Sequence, residues 1–355
     1  MAGAQHIRPR MLSIITTYWC TASCEDCCLN CNPSRRERLT LAQIANFIKQ
    51  AKSDYPDIKR AVITGGECFT LGEDLYQLVQ LLRTYDYIVR IVTNGFWASS
   101  MTKAKRIVLR LKSLGVSELN FSTGDCHQRW VPIDNIINAV ECAIEVGIPI
   151  VINIETHKDF QYSAKQFYMH PRLVPYIGSP LLKVVSGLWI KSPSDGDCVD
   201  VMTPNAPNTN GMRCINLFDT ITLSPQNEIL CCCGLTSLNH QYINLGCLSD
   251  NNLGQLWEKQ FEDFIKIWLF TEGPEKILSF AKYHDATIDT GNSYEHLCKR
   301  CLRVLSNPKV LEVLRGSYKS VLPRVLIEYS TYVNVINKLK NKGYEKEKKC
   351  KETDG

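Results

Sequence analysis

The chain has 355 residues, of which 45% are hydrophobic, and a formal net charge of +5 at pH 7. This length allows a complete enzyme core, expected as one large domain with a smaller one, and no run of about 18 apolar residues predicts a membrane span. The 17 cysteines, with no N-terminal signal peptide, indicate metal or redox chemistry in the cytoplasm, because disulfide frameworks belong to small secreted domains. The lysine-rich stretch 341–355 predicts a solvated tail and no nucleic-acid site.

The sequence up to about residue 190 alternates between strands and helices. The predicted strands are 11–15, 60–64, 87–93, 118–122, 148–155 and 181–190, and the predicted helices are 39–53, 71–84, 102–114, 133–146 and 163–170. This order predicts an α/β fold with a parallel sheet, joined by right-handed crossovers and covered by helices. Ligand sites in such folds lie at the carboxyl ends of the strands.

The pattern changes after residue 192. Residues 192–210 are rich in Pro, Asn, Ser and Asp, which predicts a linker. The elements predicted after it are strands over 219–223 and 228–233 and helices over 253–270, 275–283 and 308–339. We therefore expect a barrel-like domain over 1–192, a small α+β unit over 193–307, C-terminal helices over 308–340 and a disordered basic tail over 341–355.

The loop after the first predicted strand carries Cys20, Cys24 and Cys27 in a C-x3-C-x2-C spacing. Three thiolates in one loop can hold three irons of a cubane iron–sulfur cluster and leave the fourth iron open. The alternatives are a zinc knuckle and a four-cysteine electron-transfer cluster closed by Cys28 or Cys31. Zinc sites usually have a second C-x2-C or histidine pair nearby, and none follows within the usual loop length.

Polar residues also follow the other predicted strands. Gly65-Gly66-Glu67 ends the second strand; its glycines would allow a close approach to a ligand, and its carboxylate could pair with an ammonium group. Hydrogen-bonding candidates at later strand ends are Asn94, Ser122, Asn153 and Glu155. Asp125 and His127 are candidates for substrate contact or proton transfer. Each residue alone could be a turn or cap, but their common edge predicts one shared site.

Cys20-x3-Cys24-x2-Cys27, together with Gly65-Gly66-Glu67, resembles the radical S-adenosylmethionine enzymes over roughly residues 10–190. The resemblance implies a partial (β/α)6 TIM-like barrel. It also implies a [4Fe-4S] cluster whose open iron binds the amino and carboxylate groups of S-adenosylmethionine. Such an enzyme would receive its electron from a reductant such as flavodoxin or ferredoxin.

Further cysteines follow the predicted barrel, at Cys214, in Cys231-Cys232-Cys233 and in Cys298-x2-Cys301. A four-cysteine zinc site or free buried thiols are the alternatives. The order resembles the twitch form of the auxiliary-cluster (SPASM/twitch) domain, which implies a second [4Fe-4S] cluster on Cys214, Cys232, Cys298 and Cys301. That domain has a glycine before the second ligand, where this chain has Asn227, and asparagine tolerates the same left-handed geometry.

Successive strand residues point to opposite faces, so we expect Cys233 to turn away from Cys232 and toward the barrel mouth. Cys27-Cys28-x2-Cys31-Asn32-Pro33 and Thr93-Asn94-Gly95-Phe96-Trp97, with the later Cys-Cys, look like the peptide epimerases of the epipeptide group. That resemblance implies a ribosomally made precursor peptide, abstraction of a Cα hydrogen from an L-residue, and return of a hydrogen atom by Cys233. The rival interpretations are an oxidative radical enzyme that forms a thioether, a carbon–carbon crosslink or a dehydrogenated product, and a non-catalytic zinc protein.

Overall fold

The computed structural model describes residues 6–25, 27–156, 160–188, 208–235, 241–249, 251–293 and 295–336. Its strands are β1 (Met11–Ile15), β2 (Arg60–Thr64), β3 (Ile88–Thr93), β4 (Val116–Thr123), β5 (Ile150–Thr156), β6 (Leu182–Leu188), β7 (Thr220–Leu223), β8 (Glu228–Leu230) and β9 (Asn244–Cys247). Its helices are α1 (Leu41–Asp54), α2 (Glu73–Thr84), α3 (Met101–Ser113), α4 (Asp125–Gln128), α5 (Ile133–Glu145), α6 (Ala164–Tyr168), α7 (Leu253–Lys259), α8 (Phe264–Thr271), α9 (Pro274–His284), α10 (Leu297–Ser306), α11 (Pro308–Ser317) and α12 over 322–336.

The strands form one nine-stranded sheet in the order β6-β5-β4-β3-β2-β1-β7-β8-β9. Neighbours from β1 to β6 are all parallel. The predicted α/β class with a parallel sheet is confirmed. The sheet stays open: β6 and β9 are the two edges that the described residues give it.

The sequence pattern explains how the helices cover this sheet. Helix α1 begins at Thr40, whose side chain forms a capping box with Gln43, and its core residues, Ile44, Phe47, Ile48 and Ala51, repeat at helical spacing. In β4, buried Phe121 alternates with half-buried Asn120 and Ser122. One face of the sheet therefore meets the helices, and the other carries polar side chains.

The C-terminal strands extend the same sheet. Strand β7 pairs in parallel with β1, from Met11 opposite Thr220 to Ile14 opposite Leu223, and β8 and β9 follow by antiparallel pairing. Arg10, next to β1, also forms an ion pair with Asp219. The second unit is thus attached along the first strand, while the predicted four-part division of the chain stays a prediction.

Two predicted elements need correction. The helix predicted over 253–270 is broken into α7 and α8, because Asp263 accepts the N–H groups of Ile265 (3.0 Å) and Lys266 (3.3 Å) and starts a new helix. The strand predicted over 228–233 ends at Leu230, so the three consecutive cysteines lie in the irregular segment after it. The helices predicted over 308–339 include α11 and α12, which a 3₁₀ turn, Tyr318–Ser320, separates.

Several predicted segments fall outside the described residues: the linker up to residue 207, the end of the strand predicted over 181–190, and everything after residue 336. Among the helices that are described, none combines the length and the apolar character that crossing a membrane requires.

Candidate functional site

The first cysteine loop leaves the carboxyl end of β1 and is closed at its base, where Trp19 forms a bridge with Asn32. Arg35 braces the loop. Its guanidinium lies 3.8 Å from the centroid of the Tyr18 ring, in cation–π geometry, and donates to Leu29 O at 3.3 Å. Arg35, which follows the cysteines in sequence, therefore stabilises the conformation of the loop.

The second strand ends against this loop. Gly66 N–H donates to Thr17 O at 2.7 Å, and Glu67 N–H donates to Trp19 O at 2.9 Å. A Cβ atom at Gly66 would lie 2.3 Å from Trp19 O, so only glycine allows this approach. These glycines allow the backbone of the cysteine loop to approach closely, and the predicted approach of a ligand to them stays a prediction.

The Glu67 side chain joins two strand ends. Its carboxylate is fully buried and accepts hydrogen bonds from Phe69 N (3.1 Å), Thr93 Oγ1 (2.9 Å) and Asn94 N (2.7 Å). Burial raises the pKa of Glu67 to about 7, against the lowering effect of these hydrogen bonds. The predicted contact with an ammonium group stays a prediction, since β3 and the turn after β2 now use the carboxylate oxygens.

Cys20, Cys24 and Cys27 lie together. Burial raises the pKa of Cys20 to about 12 and raises that of Cys24, and the charge of Cys27 adds to both effects. Cys27 differs, because a hydrogen bond from the Cys31 thiol lowers its pKa to about 6. Three neighbouring buried thiolates repel one another unless a cationic group lies among them. This soft donor set fits an iron–sulfur cluster.

N–H groups point at two of these sulfur atoms. Cys20 Sγ accepts from Ala22 N at 3.4 Å and from Asn94 Nδ2 at 3.7 Å, and Cys27 Sγ accepts from Cys31 N at 3.3 Å. Such donors stabilise thiolates and tune the clusters that they hold. Asn94, predicted to bind a cofactor, therefore contacts a predicted metal ligand directly.

His127 and Glu155 form a buried pair beside the first cysteine loop. His127 Nδ1 lies 2.7 Å from Glu155 Oε2, and the other carboxylate oxygen accepts the N–H of His127 at 3.2 Å and that of Cys126. Arg129, two residues after His127, forms an ion pair with Glu25 of the cysteine loop at 2.7 Å, which places this segment beside the loop. A predicted catalytic residue and a predicted cofactor-binding residue are thus partners.

The other strand-end candidates have distinct surroundings. Asp125 accepts the N–H groups of Gln161 (2.6 Å) and Tyr162 (3.1 Å), which anchors the segment before α6. Ser122 and Asn153 are register partners on β4 and β5 and are half-buried. As register partners of parallel strands, their side chains lie on the same face of the sheet.

A second cysteine centre lies in the C-terminal unit. Cys214, Cys232, Cys298 and Cys301 line one cavity of about 250 Å³. The other side chains around it are mainly apolar and include Met212, Ile215, Ile243, Leu302 and Leu305. In the part of the chain that the structure describes, no group of three or more His, Cys, Asp or Glu is spaced to hold a single metal ion.

The walls of this cavity suit thiolates. Burial raises the pKa of Cys214 and of Cys298 to about 12, and backbone N–H groups, from Leu217 to Cys214 and from Leu235 to Cys298, act in the opposite direction. A Cβ atom at Gly234 would lie 3.2 Å from Cys298 Sγ. Four soft donors, backbone N–H groups and space that a side chain would fill together fit an iron–sulfur cluster.

Cys233 is not among the described residues that line the cavity, whereas Cys232 is. Burial raises the pKa of Cys233 to about 11. Strand β8 runs antiparallel to β7 and leads toward the amino end of β7, where Thr220 is opposite Met11. The expected orientation of Cys233 toward the barrel mouth stays a prediction.

Sequence reasoning missed Arg300 and left the role of Cys28 open. Burial raises the pKa of Cys28, with further contributions from Cys27 and Cys298. Arg300 is buried, and its guanidinium donates to Asn210 Oδ1 at 3.0 Å, which ties α10 to the segment before Cys214. The signal for Arg300 was a charged residue inside the Cys298-x2-Cys301 spacing.

The comparisons with known proteins agree with this fold. No family model matches the chain. The curated protein "Putative peptide biosynthesis protein YydG" of Bacillus subtilis (strain 168) is 28% identical over 141 residues, which are 39% of this chain and 44% of YydG. The chain thus matches less than half of the length of that relative.

Two solved structures of one protein are similar over almost their whole length. Native anSMEcpe with bound AdoMet has a TM-score of 0.56 at 12% identity and covers 90% of this chain and 99% of its own. The same protein with AdoMet and the Cp18Cys peptide has a TM-score of 0.53 at 11% identity, with 92% and 99% covered. The chain therefore shares the fold of anSMEcpe, and these identities show the fold alone.

Proposed function

We propose that the chain is a radical S-adenosylmethionine enzyme that modifies a ribosomally made precursor peptide. The observation that carries the proposal is the cluster of three thiols, Cys20, Cys24 and Cys27, in the loop after the first strand of a fold shared with anSMEcpe. AdoMet is bound to anSMEcpe in its solved structure. The Cp18Cys peptide bound to anSMEcpe and the name of YydG, which denotes peptide biosynthesis, support a peptide as the substrate.

Two [4Fe-4S] clusters and S-adenosylmethionine are the proposed cofactors. The first cysteine loop would hold one cluster, and the four-cysteine cavity would hold the other. Once bound, the first cluster and S-adenosylmethionine supply the ability to remove a hydrogen atom from an unactivated C–H bond. The residues proposed to bind S-adenosylmethionine are Gly65, Gly66, Glu67, Asn94, Ser122, Asn153 and Glu155.

The protein would contribute position and exclusion of water. Gly66 fixes the cysteine loop on β2, and Glu67 fixes the end of β3 beside it. We propose His127, held by Glu155 at 2.7 Å, as the proton-transfer group, and Asp125 as a residue at the substrate entrance. A flavodoxin or ferredoxin would serve as reductant in the cytoplasm, and the proposal includes no nucleic acid or membrane partner.

Anaerobic iron and sulfide analysis tests the proposal. We expect about eight irons per chain and about four after Cys20, Cys24 and Cys27 are changed to alanine. With dithionite, the unchanged chain should cleave S-adenosylmethionine, and the triple variant should not. Zinc with little iron would overturn the proposal and favour the non-catalytic zinc protein.

We propose epimerisation as the outcome of the reaction, with Cys233 as the hydrogen-atom donor. Its thiol is half-buried and lies outside the four-cysteine cavity, so it stays available as a donor. The S–H bond would break as the Cα–H bond forms, and one electron and one proton from the reductant and solvent would restore the thiol. The proposal requires a peptide Cα that both S-adenosylmethionine and the Cys233 thiol can reach.

Incubation of enzyme and precursor peptide in D2O separates this outcome from oxidation. Epimerisation adds one deuterium at Cα, whereas a crosslink or dehydrogenation removes two mass units. Cys233→Ala should still cleave S-adenosylmethionine but give no D-residue. Cys247→Ala, at another half-buried cysteine, is the matched control and should still epimerise. A D-residue formed by Cys233→Ala would exclude Cys233 as the donor.

A further inference from the structure

His296 lies at the wall of the four-cysteine cavity. It occupies the position before α10, the helix that carries Cys298 and Cys301, and its Nδ1 accepts the N–H of Cys298 at 3.1 Å. This is a side-chain cap of a helix N-terminus. Nδ1 of the ring therefore caps the helix, and this hydrogen bond determines whether Nε2 carries a proton.

An imidazole that accepts a hydrogen bond at Nδ1 is neutral and carries its proton at Nε2. The partial positive charge of the helix N-terminus also disfavours an imidazolium at this place. The cap thus fixes the tautomer of His296, and the ring presents an Nε2–H donor.

The residues around His296 determine which acceptors its Nε2–H can bond to. The cavity is formed by four thiols and by apolar side chains such as Leu297 and Leu302. Two other polar residues belong to the wall. The Thr209 hydroxyl bonds to Ser293 O at 3.2 Å and to Glu295 O at 2.9 Å, and Asn216 is exposed to solvent. Sulfur is therefore the main class of acceptor that the cavity offers.

We propose that His296 donates its Nε2–H to a sulfur atom of the cluster in this cavity and thereby raises the reduction potential of that cluster. The inference rests on the second cluster of the proposed function. A reduced cluster carries one more negative charge than an oxidised one, so a donor at its sulfur atoms stabilises the reduced form more. His296 is a positioning and tuning residue for the cluster, and not a ligand.

The test uses the full chain with Cys20, Cys24 and Cys27 changed to alanine, so that only the second cluster contributes. Its potential is measured anaerobically by a titration with titanium(III) citrate followed by electron paramagnetic resonance. His296→Asn keeps an oxygen acceptor for the helix cap, since asparagine is a preferred N-cap residue, but removes the Nε2–H. The midpoint potential of this variant should be lower by at least about 59 mV for one electron. At the original midpoint potential, its ratio of reduced to oxidised cluster should then be at least tenfold lower.

His296→Gln is the complementary variant, because its amide N–H can take the place of Nε2–H while the helix cap is weakened. We expect its potential to stay close to that of the His296 protein and its thermal stability to fall. If His296 only capped the helix, His296→Asn would keep the potential and His296→Gln would change it.

Absence of the His296 hydrogen bond and absence of the second cluster give different experimental results. If the His296→Asn protein binds about four irons and keeps the same potential, the inference is overturned and the second cluster stands. If the background variant binds no iron, the second cluster itself is absent, and the inference falls with it.

Discussion

The Tyr18 hydroxyl donates a hydrogen bond to Gln226 Oε1 at 2.7 Å, across 208 residues of sequence. Tyr18 lies at the start of the first cysteine loop, and Gln226 lies in the turn between β7 and β8. Strand β8 leads directly to Cys232. Together with the pairing of β1 and β7, this hydrogen bond makes the two cysteine centres parts of one framework.

We expect Tyr18→Phe to lower the free energy of unfolding by about 1 kcal/mol. The cost is that of one hydrogen bond, because Gln226 is exposed and can turn to water. Urea unfolding of Tyr18→Phe, Gln226→Ala and the double variant measures the coupling between the two side chains. Additive effects of the two substitutions would show that the contact contributes nothing to stability.

Gly66→Ala should remove the first cluster and leave the second. The added Cβ would lie 2.3 Å from Trp19 O, so the cysteine loop must move away from β2, at a cost of about 1–3 kcal/mol. Iron analysis should give about four irons per chain instead of about eight.

Gly316→Ala is the matched control, because this glycine lies within α11 and a Cβ atom there meets open space. It should keep the full iron content and gain about 0.5–1 kcal/mol in stability, since alanine favours a helix over glycine. A full iron content in Gly66→Ala would mean that the loop tolerates displacement from β2.

Much of the fold follows from local sequence patterns. The alternating buried strands and amphipathic helices predict the parallel sheet, because each signal lies within one element. Asn227 was expected in a left-handed turn, and its φ of 62° confirms that. The structure also brings the four cysteines of the predicted second centre to one cavity.

What could not be predicted depends on distant pairs. The pairing of β7 with β1 joins residues that are far apart in sequence, and both strands read locally as ordinary buried segments. The partnership of His127 with Glu155 follows from the order of β4 and β5 and not from either residue alone. The break at Asp263, by contrast, carried a local N-cap signal that the continuous apolar pattern of 253–270 obscured.

Protein prepared without clusters should lose stability as the pH rises from about 4.5 to about 7. Burial raises the pKa of Glu67 from its usual 4.5 to about 7, so the folded chain holds a proton that the unfolded chain releases in this range. The stabilisation is complete below the unfolded pKa and is lost as the pH rises through the folded pKa. At about 1.4 kcal/mol per unit of pKa difference, the whole change is on the order of 3 kcal/mol.

Denaturant unfolding across pH 4–8 measures this dependence. Glu67→Gln removes the titrating carboxyl, so the slope between pH 4.5 and pH 7 should flatten even if the variant is less stable at every pH. Equal slopes for Glu67→Gln and the unchanged chain would assign the dependence to another group.

The first centre should use three cysteine ligands although Cys28 and Cys31 lie next to it. The Cys31 backbone N–H donates to Cys27 Sγ at 3.3 Å, and the Cys31 thiol donates to Leu29 O at 3.8 Å; a hydrogen-bond donor to a ligand is a supporting residue. We therefore expect Cys28→Ala and Cys31→Ala each to keep about eight irons per chain. Addition of S-adenosylmethionine should still change the paramagnetic resonance spectrum of the reduced first cluster, because the fourth iron is open. If either variant loses about four irons, that cysteine is a ligand and the centre is a closed four-cysteine cluster.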